Sequence, residues 1–403
     1  FGLNNFYKAS FYIELSIKDE LLNRLVASYK DEIYFMAGVI YFKIEMFELS
    51  KNYLEYSING DFAKKDQALL LLSEIIGRKM GQFGQASIYY AQINRSKLSN
   101  DEIEKYNYLS NHLLWGQIDT SKIGYRDPNV NSIAIDKDII FIGLYNGGLL
   151  EYNYILDTYN YYIGGNLVNE NIRDIYVDES RYIYVGTQEG VSFFDKRYGT
   201  FKVVEELKGK SITTISGSEE SIFFGTLGDG IISFDKKNKT FSSLTDFINI
   251  SFVSYIDDTL YIAPYSGGLY LLKGGLVSSV NINIPNRYPI TDIVKSDNKL
   301  FISTYGAGIY IYDLNTKRYE LYNSNNTIFL ENYFLCISKK DDVLYCGSLG
   351  NGIYTLDTKT NKWETFFVSD IYMGTDIKKI VFTDSMMFIA TLGEGVLKKL
   401  IIK

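Results

Sequence analysis

Few side chains in this sequence can do chemistry alone, and their types narrow the possibilities. The single histidine, His112, falls near the end of an expected helix. One imidazole cannot build a multi-histidine metal site, and a Ser–His–Asp triad would have to recruit it from outside the strand-rich region. The only cysteines, Cys336 and Cys346, fall on expected facing strands, with a turn centred on Asp341 setting them opposite each other. A bond closing that short loop would contribute roughly 2–3 kcal/mol by loop entropy. Facing strand positions, however, hold Cβ atoms slightly too far apart for good disulfide geometry, so two buried free thiols are expected. Acid pairs such as Glu205-Glu206, Glu219-Glu220 and Asp341-Asp342 fall in expected turns, where solvated charge is the default. Glycosidase chemistry needs two carboxylates at a fixed separation. Asp174 and Asp292 stand apart because they occupy the same position on expected innermost strands, but two aligned carboxylates are thin support for a channel cation. No catalytic set, metal site or cofactor is expected, and the chain reads as a non-enzyme.

The elements that must position these residues come from a repeat. Seven segments align, beginning with IFIGLYNGGLLEY (140–152) and IYVGTQEGVSFFD (183–195) and ending with LYCGSLGNGIYTLD (344–357) and MFIATLGEGVLKKL (387–400). Their closing glycines are Gly148, Gly190, Gly230, Gly268, Gly308, Gly352 and Gly395, with steps of 42, 40, 38, 40, 44 and 43 residues. Each segment reads as two antiparallel strands around a glycine turn, flanked by β-branched and aromatic residues. A phosphate cradle would lead from its glycines into a helix, whereas these lead back into strands. An innermost strand is marked by Ile133, Ile175, Ile215, Val253, Ile293, Ile337 or Ile380, and an outer strand follows an Asp-initiated turn, as after Asp235 and Asp357. Four strands per repeat in radial repetition predict a seven-bladed β-propeller over residues 115–403, closed by a strand near 115–119. Closure of this kind removes exposed sheet edges.

The repeats resemble those of two-component regulators, close to I-W-I-G-T-x-G-G-G-L-Y-x-F-D, with residues 300–313 and 344–357 the best matches. That resemblance covers about residues 125–403. It implies a propeller that serves as an extracytoplasmic glycan sensor or as a plain scaffold. No membrane-spanning, kinase or DNA-binding segment is read alongside it. Quinone-enzyme repeats carry a recurrent tryptophan that only Trp363 could supply here, so a quinone cofactor is not expected.

Residues 1–114 change character: glycine becomes sparse and helical spacing appears. Gly38, Tyr41, Phe47, Ser50 and Leu54, then Gly81, Phe83, Ala86 and Tyr90, resemble tetratricopeptide (TPR) positions, with Phe47 and Phe83 36 residues apart. The prediction is an all-α, TPR-like helical-repeat domain. Asn100-Asp101-Glu102 reads as a further helix start.

Bulk properties bound the partners. The chain has 403 residues, is 46% hydrophobic, and carries a net charge of −7 with its cations scattered. Such a field repels phosphate backbones, so nucleic acid is not expected. No uninterrupted apolar run reaches the ~18 residues of a spanning helix; the richest, 68–76, is too short and contains Glu74.

Binding is expected on the propeller face that carries the strand-two/strand-three turns and the blade connections. The candidate residues are Tyr145, Tyr265 and Tyr305 on the turns, with Arg126, Arg173, Arg287, Tyr288 and Tyr333 on the connections; Asn171, Asn286 and Tyr372 lie near them. Tyrosine with arginine is the composition of recognition surfaces; the alternative is tyrosines packed between blades. The expected function is a protein–protein interaction scaffold or assembly factor of the bacterial cell envelope, with partners met by the helical domain, the propeller face or both. A glycan-binding sensor or carbohydrate-handling propeller is the alternative, and a propeller lyase or hydrolase the second. Expected localisation is extracytoplasmic, periplasmic or lipid-anchored, with the cytoplasm as the alternative.

Overall fold

The structure, a computed structural model, describes residues 3–18, 27–80, 83–112, 115–118, 120, 127–156, 158–178, 181–366 and 376–401. These divide into two compact units, residues 1–116 with 399–403, and residues 117–398.

The first unit is helical: α1 (Leu3–Lys18), α2 (Ala27–Lys43), α3 (Phe47–Ser57), α4 (Lys65–Glu74), α5 (Phe83–Tyr90) and α6 (Asn100–His112). Gly38 lets α2 and α3 approach, since a Cβ there would lie 2.5 Å from the Leu54 side chain. Ser50 on α3 donates to the Gly38 carbonyl at 2.7 Å across the same contact. The apolar run in α4 continues into a π-helical turn, Ile75–Lys79, and Leu69, Leu72, Ile75 and Ile76 are buried there. The cap of α6 is Ser99, one residue before the expected start. Its amide donates to Glu102 Oε2 at 2.8 Å while the Glu102 amide donates to Ser99 Oγ at 3.4 Å, a reciprocal capping box.

The second unit is built from seven four-stranded sheets among the described residues, a seven-bladed propeller. Blade one spans residues 130–162, blade two 172–203, blade three 211–243, blade four 250–279, blade five 290–322 and blade six 334–366. Blade seven takes three strands from residues 376–400, and its fourth and outermost is Trp115–Ile118. Ile118 is buried with Ile133 and Ile140 of blade one and Phe388 and Val396 of blade seven.

The core lies between consecutive blades. Phe141 and Leu149 of blade one meet Ile172, Ile175 and Ile183 of blade two, and Phe301 and Ile309 of blade five meet Phe334 and Ile337 of blade six. Burying each such side chain stabilises by roughly 1.5–3 kcal/mol. This is why the inner-strand marker is isoleucine or valine in every repeat.

A hydroxyl explains the threonine or serine that precedes most glycine turns. Thr187, Thr226, Thr304, Ser348 and Thr391 each donate to the carbonyl of the closing glycine at 2.7–2.9 Å. Leu144 and Pro264 stand at this position in blades one and four, whose turns carry two adjacent glycines. Gly308 shows what the turn demands: its φ is +101°, and a Cβ would meet the Tyr322 carbonyl at 2.2 Å. The aspartates after strand three accept paired backbone amides. Asp235 takes Lys237 and Asn238, and Asp357 takes Lys359 and Thr360, at 2.8–2.9 Å.

Candidate ligand-binding face

Every inner strand carries a β-bulge at the same place. The extra residue is Asn131, Arg173, Thr213, Ser251, Thr291, Leu335 or Lys378; the next is Ser132, Asp174, Thr214, Phe252, Asp292, Cys336 or Lys379. A bulge leaves its residue out of the ladder and re-aims the side chains beside it. The two layers therefore line the inner edge of the ring while the neighbouring isoleucines stay between blades.

In the second layer, polar side chains latch one blade to the next. Ser132 accepts the Ile175 amide at 3.2 Å, Asp174 the Ile215 amide at 2.8 Å, and Asp292 the Ile337 amide at 3.2 Å. Lys379 of blade seven donates to Asp174 of blade two at 3.0 Å, with Ser132 of blade one within 3.4 Å. The alignment of Asp174 and Asp292 thus has a structural use, and Asp174 already holds a cation of the chain itself. Burial pushes the Asp292 carboxyl up to about 6, opposed by the amides of Ile337 and Ile293 and by Lys379, and reinforced by Asp174. Among the described residues, no group of three or more His, Cys, Asp or Glu is placed to hold a metal.

The cysteines belong to this region but do not face each other. Cys336 pairs with Gly347 and Cys346 with Ile337, because the hairpin turns on two residues, Asp341 and Asp342, with Lys340 opposite Val343, rather than on Asp341 alone. Both thiols are free and buried, and burial pushes Cys336 up to about 12.

On the loop face the turns and connections do meet. Backbone bridges join Asn129 to Leu392, Leu227 to Asn249 and Tyr305 to Tyr333. Tyr145, Tyr265 and Tyr305 are 40%, 46% and 39% exposed, so they are not packed away between blades. The structure sorts the candidates into two groups. Arg173 lies over the Tyr145 ring at 5.6 Å, beside blades one and two. Around blades four to six, Tyr305 meets Tyr333 edge-on at 5.0 Å, Gly306 sits against Tyr288, and Arg287 lies 4.7 Å from the Tyr288 ring. Tyr265 joins that arc through its turn, where Gly267 contacts Asn286. Arg126 and Tyr372 fall outside the described residues.

Beside the first group is a cleft of about 440 Å³, lined by Asn146, Leu167, Asn169, Glu170, Asn171 and Gln188 among others. Asn171 is 8% exposed and donates to Asn146 Oδ1 at 3.1 Å, yet its own Oδ1 is buried without a hydrogen-bond partner. Sequence reasoning named Asn171 only as a neighbour and missed Asn146, Asn169, Lys378 and Lys379. The lysines had a signal: Lys379 aligns with Asp174 and Asp292.

No protein-family model and no curated protein matches this sequence. Solved structures do match its fold. The extracellular domain of the hybrid two-component system BT3049 from B. thetaiotaomicron aligns over 71% of this chain at 20% identity, TM-score 0.59. That of the one-component system BT4673 from the same organism aligns over 71% at 16% identity, TM-score 0.60. The chain shares the propeller fold of these extracellular domains. It spans only 41% and 39% of their respective lengths. A computationally designed protein, Ika8, also matches, over 68% of this chain and 97% of its own, at 9% identity and TM-score 0.50. Extracellular domains of signalling systems and a designed protein on one frame illustrate that the fold does not choose the function.

Proposed function

We propose that this chain is a non-catalytic recognition protein whose propeller binds a polyhydroxylated ligand, such as a segment of glycan, on its loop face. The observation that carries this reading is Asn171, a buried carboxamide with an unpartnered oxygen in a cleft walled by further carboxamides. Buried polar atoms are normally satisfied, so a carboxamide oxygen left without a protein partner in the wall of a cleft marks a place for an added donor. Carboxamides offer donors and acceptors together, as a sugar hydroxyl requires. The exposed tyrosines supply flat apolar surface alongside. The fold shared with extracellular sensor domains supports an extracytoplasmic, envelope-associated setting.

The lyase or hydrolase reading gains no support, since Asp174 is engaged by Lys379. A protein partner remains the reading for the helical unit. On α1, Tyr7, Phe11 and Leu15 recur every four residues and are 53%, 62% and 51% exposed, a stripe suited to an apolar partner surface.

The test is a glycan array probed with the full chain and with Asn146→Ala and Gln188→Ala variants. Saturable binding to defined oligosaccharides, weakened about tenfold or more by these substitutions, supports the proposal. Absence of glycan binding, or binding indifferent to both substitutions, overturns it.

A further inference from the structure

The inner strands bring cations to the channel mouth that the described chain does not fully neutralise. Two of the bulge residues are positive, Arg173 in blade two and Lys378 in blade seven, with only blade one between them. Lys379 follows Lys378, but its ammonium is engaged by Asp174 at 3.0 Å. The guanidinium of Arg173 rests on the Tyr145 ring. Among the described residues, Lys378 has neither a hydrogen bond nor an ion pair, although Arg173, Lys379 and Asp174 all lie within its electrostatic range.

Lys378 is enclosed by protein on most sides and only half-buried from the channel's solvent. Burial lowers its pKa, Cys336 and Asp174 pull it back up, and the like charges of Lys379 and Arg173 lower it further. An enclosed cation without its own counter-charge is costly, and an incoming anion removes that cost.

We propose that the channel mouth binds an anionic group, a sulfate, phosphate or carboxylate borne by a ligand, between Lys378 and the Arg173 guanidinium. The arginine supplies a planar fork for two oxygens, held in orientation by the tyrosine beneath it, and the lysine, on the other side of blade one, a point charge. Asp174 keeps Lys379 engaged, so the guest meets two cations, enough for one sulfate or phosphate. The site stands on residues other than the Asn171 cleft and does not require that cleft to bind a glycan.

The probe is the simple anion. Thermal melts of the full chain in sodium sulfate, sodium phosphate and sodium acetate are compared with sodium chloride at matched ionic strength. The wild type is expected to show a saturable rise in Tm with sulfate or phosphate. Lys378→Gln and Arg173→Gln are expected to weaken that response about tenfold or more, while Lys237→Gln, on an exposed turn, leaves it unchanged. Without added anion, Lys378→Gln should melt no lower than wild type, because it removes a cation with no counter-charge of its own. The same sulfate response in wild type and Lys378→Gln would mean general salt stabilisation and overturn the site. A Lys378→Gln protein that melts well below wild type without added anion also overturns it, because the lysine would then already have a partner. Neutral-glycan binding through the cleft is read separately on the array, so the two proposals fail independently.

Discussion

Lys379 reaches past blade one to pair with Asp174 of blade two at 3.0 Å, so a single ion pair ties the last blade to the second. The side chains are 33% and 13% exposed. Asp174 also accepts the Ser132 hydroxyl at 2.9 Å and the Ile215 amide at 2.8 Å, which leaves its carboxylate fixed whether or not the lysine is present.

Replacing Lys379 by Met should therefore cost about 1–3 kcal/mol, toward the lower end because channel solvent reaches the ammonium. Urea denaturation measures it. The double variant Lys379→Met with Asp174→Asn should regain part of the loss, since no enclosed charge is then left alone. Additive losses in the two single variants would argue against coupling.

Asp292 links stability to pH. Its carboxyl is raised from 3.8 to about 6 by burial, so the folded state holds the proton more tightly than the unfolded state. The contribution is fully present below about pH 4, is lost as pH rises to about 6, and is flat beyond, with a total of up to about 3 kcal/mol. Lys379 favours the charged form and Asp174 opposes it, so the midpoint should shift in Lys379→Met. In Asp292→Asn the slope disappears, and variant minus wild-type stability should rise between about pH 4 and pH 7. A difference that does not change with pH refutes the assignment.

Equivalent turn glycines should not tolerate alanine equally. At Gly308 the new Cβ would strike the Tyr322 carbonyl, whereas at Gly352, φ +67°, nothing lies within 4 Å. Gly352→Ala should cost about 1 kcal/mol from backbone conformation alone, and Gly308→Ala at least about 2 kcal/mol. Equal losses by chemical denaturation would mean that blade five relaxes around the methyl group.

The blade count was legible because each blade repeats an inner isoleucine or valine and a glycine turn, and four of the seven add an aspartate turn, at Asp195, Asp235, Asp313 and Asp357. Local chemistry of this kind survives translation into three dimensions. The bulge was not legible, because Phe334-Leu335-Cys336 and Ile377-Lys378-Lys379 look like ordinary strand and carry no glycine to mark the extra residue. That one unseen residue explains the missed lysines at the axis. It turned Lys378 and Lys379 from anonymous surface charge into channel lining, whereas Cys336 stands opposite Gly347 rather than Cys346 because the hairpin turns on two residues, Asp341 and Asp342. The loop-face candidates were found by composition, but their division into two groups depends on contacts such as Gly306 with Tyr288, which no spacing encodes. The Asn171 cleft joins turn and connection residues of adjacent blades, a neighbourhood that only the folded ring creates.

The bulge layers also separate symmetry from identity. The backbone returns to the same geometry in each successive blade, and the isoleucine or valine beside the bulge is retained throughout. The residues just past the bulge, Ser132, Asp174, Thr214, Phe252, Asp292, Cys336 and Lys379, scarcely repeat. Rotation by one blade therefore restores the backbone frame around the axis but not the side chains it carries, and polarity and charge are spread unevenly round the ring.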